Sequence, residues 1–115
     1  MTTLTVVIET DSYLARAIRL MSDKERRAVV DMVAGDPAGG VVIPGTGGLR
    51  KMRIPLQGRG KRGGGRVIYW YHSPGYPAAL LWVFAKNAAD DLTKEQYRVL
   101  AGAMAGLLRD YGARS

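Results

Sequence analysis

The chain contains no cysteine and only one histidine, His72. Without cysteine there is no disulfide framework, no thiol nucleophile and no thiolate for zinc, a composition that suits a reducing compartment. One histidine cannot supply the His pair of a His-based ribonuclease, and no second ligand accompanies it for a metal. A histidine at a strand end is more often structural or exposed, so His72 receives no catalytic role. No apolar run approaches the ~20 residues that span a membrane. Met1-Thr2-Thr3 lacks the basic and apolar regions of a signal peptide. The expectation is a cytoplasmic protein with no membrane partner. The glycine-rich stretch does not contain G-x-x-x-x-G-K-[ST], so it is not a Walker loop.

A further absence is local. Between Leu49 and Arg66 there is no aspartate or glutamate, yet seven of the 17 lysines and arginines fall there: Arg50, Lys51, Arg53, Arg59, Lys61, Arg62 and Arg66. The other ten basic residues are matched by all ten acidic ones, so the formal charge of +7 is concentrated in eighteen residues. A solvated surface intersperses both signs. A one-sign segment creates a field that attracts a polyanion, with RNA favoured. A solubilising loop or a dock for an acidic partner is the plainer alternative.

What is present reads as one α+β domain of 115 residues with a modest core. Leu4 to Glu9 is short, apolar and β-branched, a strand. Thr10, Asp11 and Ser12 offer N-caps, and Tyr13, Leu14, Ala17, Ile18 and Met21 follow at helical spacing. Ser22 and Glu25 form a capping box for a second helix, with Ala28, Val29, Met32 and Val33 as its apolar stripe and Gly35-Asp36-Pro37 as its end. Residues 38–48 read as loop, with a short extended piece at Val41 to Ile43. Leu49 to Ile54 alternates as a strand, with Leu49, Lys51 and Arg53 on one face and Met52 and Ile54 on the other. Pro55 to Gly65 holds five glycines and three basic residues, a hairpin loop. Arg66 to His72 and Ala78 to Ala85 are strands, the latter a buried central one. Thr93 and Gln96 cap a C-terminal helix carrying Tyr97, Leu100, Ala101, Met104 and Leu107. The order β-α-α-β-β-β-α favours an antiparallel meander with helices packed on one side.

A hairpin between the basic strands lets Lys51, Arg53 and Arg66 converge on one phosphate. Arginine binds phosphate through paired hydrogen bonds, and lysine adds a point charge. Tyr69, Trp70, Tyr71, Trp82 and Phe84 have the chemistry to stack on bases, but aromatics on central strands are more often core. Lys86 precedes the acidic pair Asp90-Asp91, and one plain reading is a surface lysine paired with those aspartates. Two carboxylates could also suggest a metal site, but no other oxygen-bearing residues cluster with them.

Together, Gly45-Thr46-Gly47-Gly48-Leu49-Arg50-Lys51-Met52-Arg53, Gly58-Arg59-Gly60-Lys61-Arg62-Gly63-Gly64, Arg66-Val67-Ile68-Tyr69, Phe84-Ala85-Lys86-Asn87 and Asp91-Leu92-Thr93 resemble the HigB-like branch of the RelE/ParE toxin superfamily. The Ile8-Glu9-Thr10 opening and the two-helix hairpin match as well, so the resemblance covers nearly the whole chain. It implies a RelE-like antiparallel sheet with an N-terminal αα-hairpin and a C-terminal helix. It also implies the toxin of a bacterial type II toxin–antitoxin pair. RelE-like members are ribosome-dependent endoribonucleases that cut mRNA in the ribosomal A site. The implied partners are the ribosome, mRNA and an antitoxin, usually a helix-turn-helix DNA-binding protein. No cofactor or metal is implied. By position, the paired cations of the RelE strand fall on Lys51 and Arg53, the arginine of the next strand on Arg66, and the basic residue after the last strand on Lys86. RelE itself has an arginine beside that last position and a tyrosine soon after. Here the neighbour is Asn87, and the next tyrosine is Tyr97.

Metal-free RNA cleavage requires a base for the 2′-OH, charge stabilisation at phosphorus and an acid for the leaving oxygen. With no usable histidine, Lys51 is the candidate base, because neighbouring cations favour the neutral amine that a base needs. Arg53 and Arg66 hold the transition-state charge, and Lys86 protonates the leaving group. Arg50, Arg59, Lys61 and Arg62 are the RNA- or ribosome-binding residues, acting electrostatically. Two alternatives stay open: a ParE-like toxin that poisons gyrase without cutting RNA, and a noncatalytic nucleic-acid-binding module.

Overall fold

The computed structural model describes residues 4–56, 64–86 and 91–114, with side chains described up to residue 107 and at Arg109. The elements run β1 (Val7–Glu9), α1 (Asp11–Leu20), α2 (Asp23–Gly35), β2 (Val41–Val42), β3 (Leu49–Ile54), β4 (Gly65–Trp70), β5 (Ala78–Ala85) and α3 (Lys94–Arg114). The fold is α+β with one five-stranded sheet in the order β1-β5-β4-β3-β2. No helix among the described residues is long and apolar enough to cross a membrane.

Local chemistry starts and stops the helices where the caps stand. The Thr10 hydroxyl accepts from the Tyr13 amide, and Ser22 and Glu25 close a reciprocal capping box. Thr93 and Gln96 do the same for α3: the Thr93 amide donates to Gln96 Oε1 and the Gln96 amide to Thr93 Oγ1. Each cap satisfies amides that a helix N-terminus leaves unpaired. The stripes differ in detail from the periodic reading. Tyr13 and Ala17 are buried on α1 while Ile18 is exposed; α2 buries Val29, Val33 and Ala34 and leaves Ala28 and Met32 exposed. On α3, Tyr97 is buried and Leu107 is exposed.

The meander β3-β4-β5 is antiparallel as expected, but the sheet as a whole is mixed, because β1 pairs parallel with β5. Adjacency in sequence orients consecutive strands; it says nothing about β1, whose partner lies about 70 residues away. A second correction concerns the layers. The helices do not pack on one side. Tyr13, Ala17, Val29 and Val33 of α1 and α2 join Val67, Tyr69, Leu80 and Val83 on one face. Tyr97, Leu100, Ala101 and Met104 of α3 join Leu49, Ile68, Trp70, Leu81 and Phe84 on the other. The reason is the sheet's own composition. β5 is buried at six of its eight positions and β4 at five of six, so both faces are apolar and both need cover. A register shift between Ile68 and Tyr69 lets Leu81 and Trp82 both face the α3 side.

The aromatic strands are core rather than stacking platform: Tyr69, Trp70, Tyr71 and Phe84 are buried, and Trp82 is half-buried. Where β1 stops, α1 covers the free edge of β5. Thr10 and Ser12 hydroxyls donate to the Leu80 and Leu81 carbonyls, and Arg16 Nε donates to the Val83 carbonyl at 2.7 Å. These bonds occupy acceptors that an open edge presents to other chains.

Tyr69 ties the loop before β2 to the core. Its hydroxyl donates to the Pro37 carbonyl at 2.7 Å and accepts from the Gly40 amide at 2.9 Å. Burial pushes the phenol above its ordinary value, so it is a donor at neutral pH. Tyr69→Phe strands one buried donor and one acceptor. The expected cost is about 1–3 kcal/mol, read as a lower urea midpoint with an unchanged slope.

Candidate functional site

The register of β3 on β4 places Arg53 directly opposite Arg66 and Lys51 opposite Ile68. Leu49, Ile68 and Trp70 belong to the apolar cluster under α3, so the strand period carries Lys51, Arg53 and Arg66 onto that same face. The three cations expected to converge thus share one face of the sheet. The three cations share a groove of about 440 Å³ whose other wall is Val41, Val42, Ile43 and Pro44. β2 forms that wall by pairing Val41 with Lys51.

Like charges placed opposite each other across a ladder are destabilising, by roughly 0.2–1 kcal/mol. Arg53 is exposed and Arg66 half-buried. Among the described residues no carboxylate forms an ion pair with either. The Arg66 guanidinium is steadied by donating to the Gly65 carbonyl at 2.9 Å. Two arginines on facing strand positions, with no carboxylate paired to either among the described residues, suit a bidentate anion such as a phosphodiester.

Lys51 differs from the two arginines. Its ammonium lies 3.0 Å from Asp91 Oδ2. It also sits over two rings, 5.7 Å from the Phe84 centroid and 5.6 Å from that of Tyr97. Arg53 and Arg66 share its groove, but the charge in contact with it is a carboxylate. Asp91 is in turn fixed from the α3 side, accepting from the Leu92 amide at 2.7 Å and from the Tyr97 hydroxyl. Burial alone raises the Asp91 carboxyl, but the bonds from Tyr97, Lys51 and Leu92 outweigh it and hold it below the ordinary 3.8. Burial first, then the bond to Asp91 and its charge, raises the Tyr97 phenol, which stays a proton donor.

The depressed carboxyl predicts an acid-sensitive contact. The unfolded chain binds the proton at a higher pH than the folded one. The contact's stabilisation is therefore complete above about 3.8 and fades as the pH falls through that value towards the lower folded one. Both side chains are partly exposed, so the loss is at most about 1 kcal/mol. Asp91→Asn should abolish this part of the stability difference between pH 7 and pH 3, read by thermal melts at both.

The remaining expected residues divide. Lys86 is exposed just past β5, where its amide donates to the Gly64 carbonyl at 2.8 Å, at the sheet end that carries Arg53 and Arg66. It does not form the ion pair expected with Asp91, which goes to Lys51 instead. Arg50 is separated from the groove: the strand period sends it to the opposite face. There Nη1 donates to the Ala38 and Gly40 carbonyls, both at 3.0 Å, so it braces the loop before β2. Arg59, Lys61 and Arg62, like Asn87 and Asp90, lie outside the described residues. His72 is exposed beyond the far end of β4 from Arg66, with Nδ1 2.7 Å from the Ser73 hydroxyl.

The sequence reading missed Asp91 and Tyr97 as neighbours of the cations. The available signal was position. Asp91 stands two residues before the α3 cap, and Tyr97 is the first apolar residue of the α3 stripe, so both sit where α3 meets the sheet. Among the described residues no group of three or more His, Asp or Glu side chains is arranged to hold a metal ion. Compared with models of known protein families, the chain matches none.

Proposed function

We propose that this chain is the toxin of a type II toxin–antitoxin pair: a metal-independent endoribonuclease that cuts mRNA on the ribosome and so inhibits translation. The observation that carries the reading is the cross-strand pair Arg53–Arg66, with Lys51 in the same groove and no carboxylate on either arginine among the described residues. The resemblance of the basic segments to HigB-like toxins supplies the reaction class.

In this mechanism the 2′-hydroxyl of the RNA loses its proton to a base and attacks the adjacent phosphorus. The P–O5′ bond breaks, and the departing 5′-oxygen takes a proton from an acid. Arg53 and Arg66 hold the non-bridging oxygens as charge accumulates on them, a fixed electrostatic clamp. Lys51 in the groove and Lys86 at the same sheet end are the proton-transfer groups. The ribosome orients the mRNA, which makes the isolated protein a poor nuclease. Arg59, Lys61 and Arg62 anchor the complex to RNA phosphates. A helix-turn-helix antitoxin is the partner that silences it.

Induced expression in a bacterial host tests this. The expected result is growth arrest with new 5′ ends inside open reading frames by primer extension, and cleavage by purified protein only when ribosomes are added. Growth arrest with intact mRNA, or no arrest at all, would overturn the reading.

A further inference from the structure

Of the three groove cations, Lys51 alone is already paired with an anion among the described residues. The pairing is built asymmetrically. Asp91 Oδ1 takes the Leu92 amide and the Tyr97 hydroxyl, while Oδ2 takes Lys51. The carboxylate is therefore held by the start of α3 and does not depend on Lys51 for its position. It presents one oxygen to the ammonium at 3.0 Å, as a phosphate oxygen would. Both partners keep solvent access, with side chains 32% and 41% exposed, so the pair is open to exchange.

We propose that Asp91 is a built-in competitor for phosphate at Lys51. Among the described residues, Arg53 and Arg66 have no carboxylate partner in the resting groove, and the third cation becomes available only when a phosphate displaces the Asp91 oxygen. A bound phosphodiester gains from the two guanidinium groups, which form no ion pair with Asp91, and this favours the exchange. Asp91 thereby sets the affinity of the groove and delays the release of Lys51 for proton transfer until substrate is present. The inference rests on the reading of the groove as a polyanion site.

The test is binding rather than cleavage. A fluorescent single-stranded oligonucleotide with 2′-O-methyl riboses, which has no attacking hydroxyl, is titrated across a salt series. Wild type, Asp91→Asn, Lys51→Met, the double variant and Arg53→Ala are compared by anisotropy. Asparagine keeps an acceptor for Tyr97 and Leu92 but removes the charge. Asp91→Asn should bind about 3–10-fold more tightly, with a log–log salt slope steeper by about 0.7, the increment for one added phosphate contact on a single strand. The gain should vanish when Lys51→Met is added. No tightening, or tightening that survives Lys51→Met, overturns the inference. If Asp91→Asn is too unstable to use, side-chain NMR of the wild type decides. Lys51 ε-methylene signals that move on saturation with oligonucleotide support the exchange, and unmoved signals overturn it. Binding that is absent, or indifferent to Arg53→Ala, overturns the polyanion reading and this inference with it. Arg53-dependent binding without tightening in Asp91→Asn overturns the inference alone.

Discussion

Arg66→Ala is expected to slow ribosome-dependent mRNA cleavage by about 10²–10³-fold, the usual loss when one preorganised donor to a developing oxyanion is removed. The expectation follows from where Arg66 sits. It is half-buried on a central strand, bonded to the Gly65 carbonyl and directly opposite Arg53, so its guanidinium has little freedom to lose when substrate arrives. Folding should not suffer in proportion. Removing one of two facing like charges relieves a repulsion of roughly 0.2–1 kcal/mol, which offsets the lost packing of the stem beside Phe84, its partner on β5. The melting temperature should therefore stay within a few degrees of wild type. Arg66→Lys separates charge from geometry. It keeps the cation but loses the planar fork, and should recover only part of the rate. Single-turnover cleavage on programmed ribosomes, with a parallel melt, measures both. An Arg66→Ala protein that cleaves within threefold of wild type would remove the clamp from the mechanism.

How much of this was legible beforehand depends on the range of each signal. The caps at Ser22 and Thr93 and the bounds of β3 and β5 were readable because they rest on residues within a turn or on period-two alternation. The face shared by Lys51 and Arg53 follows from that alternation. Their meeting with Arg66 follows from a hairpin, the shortest-range tertiary contact a chain makes. Three features were not readable in this way. The parallel pairing of Val7 with Ala78 joins segments with the whole αα-hairpin and three strands between them. The position of α3 opposite α1 and α2 is written into the unbroken apolar run of β5, but only through a further step. A strand buried on both faces needs two covers, and that step places α3. The ion pair of Lys51 with Asp91 follows in turn, since α3 on that face brings the residues that lead into it to β3. Arg50 shows the converse: charge composition groups it with its neighbours, and the strand period parts it from them.

Gly65→Ala should be the most damaging single methyl in the molecule near this site. A Cβ there would lie 2.6 Å from the Phe84 carbonyl oxygen and 2.8 Å from a Leu56 methyl, with backbone on one side and core on the other. Leu56 can turn, but the Phe84 carbonyl belongs to the β4–β5 ladder, so the strands must part at the end where Gly65 faces Ala85. Overpacking of this kind costs about 1–3 kcal/mol, a fall of roughly 5–15 °C in melting temperature for a domain of this size. The effect on function should be larger than on stability, because the next residue is Arg66. A displacement of about 1 Å at a clamp can cost 10²-fold in rate. Cleavage measured well below the melting temperature should therefore fall by at least tenfold in protein that circular dichroism shows to be folded. Gly102→Ala is the control. It lies on the exposed side of α3 with nothing within 4 Å of the added methyl. Replacing a helical glycine there should stabilise by about 0.5–1 kcal/mol and leave cleavage unchanged. If Gly65→Ala melted like wild type, the spacing of β4 and β5 would be looser than the ladder requires. If it melted lower but cleaved normally, the placement of Arg66 would not depend on the strand that carries it.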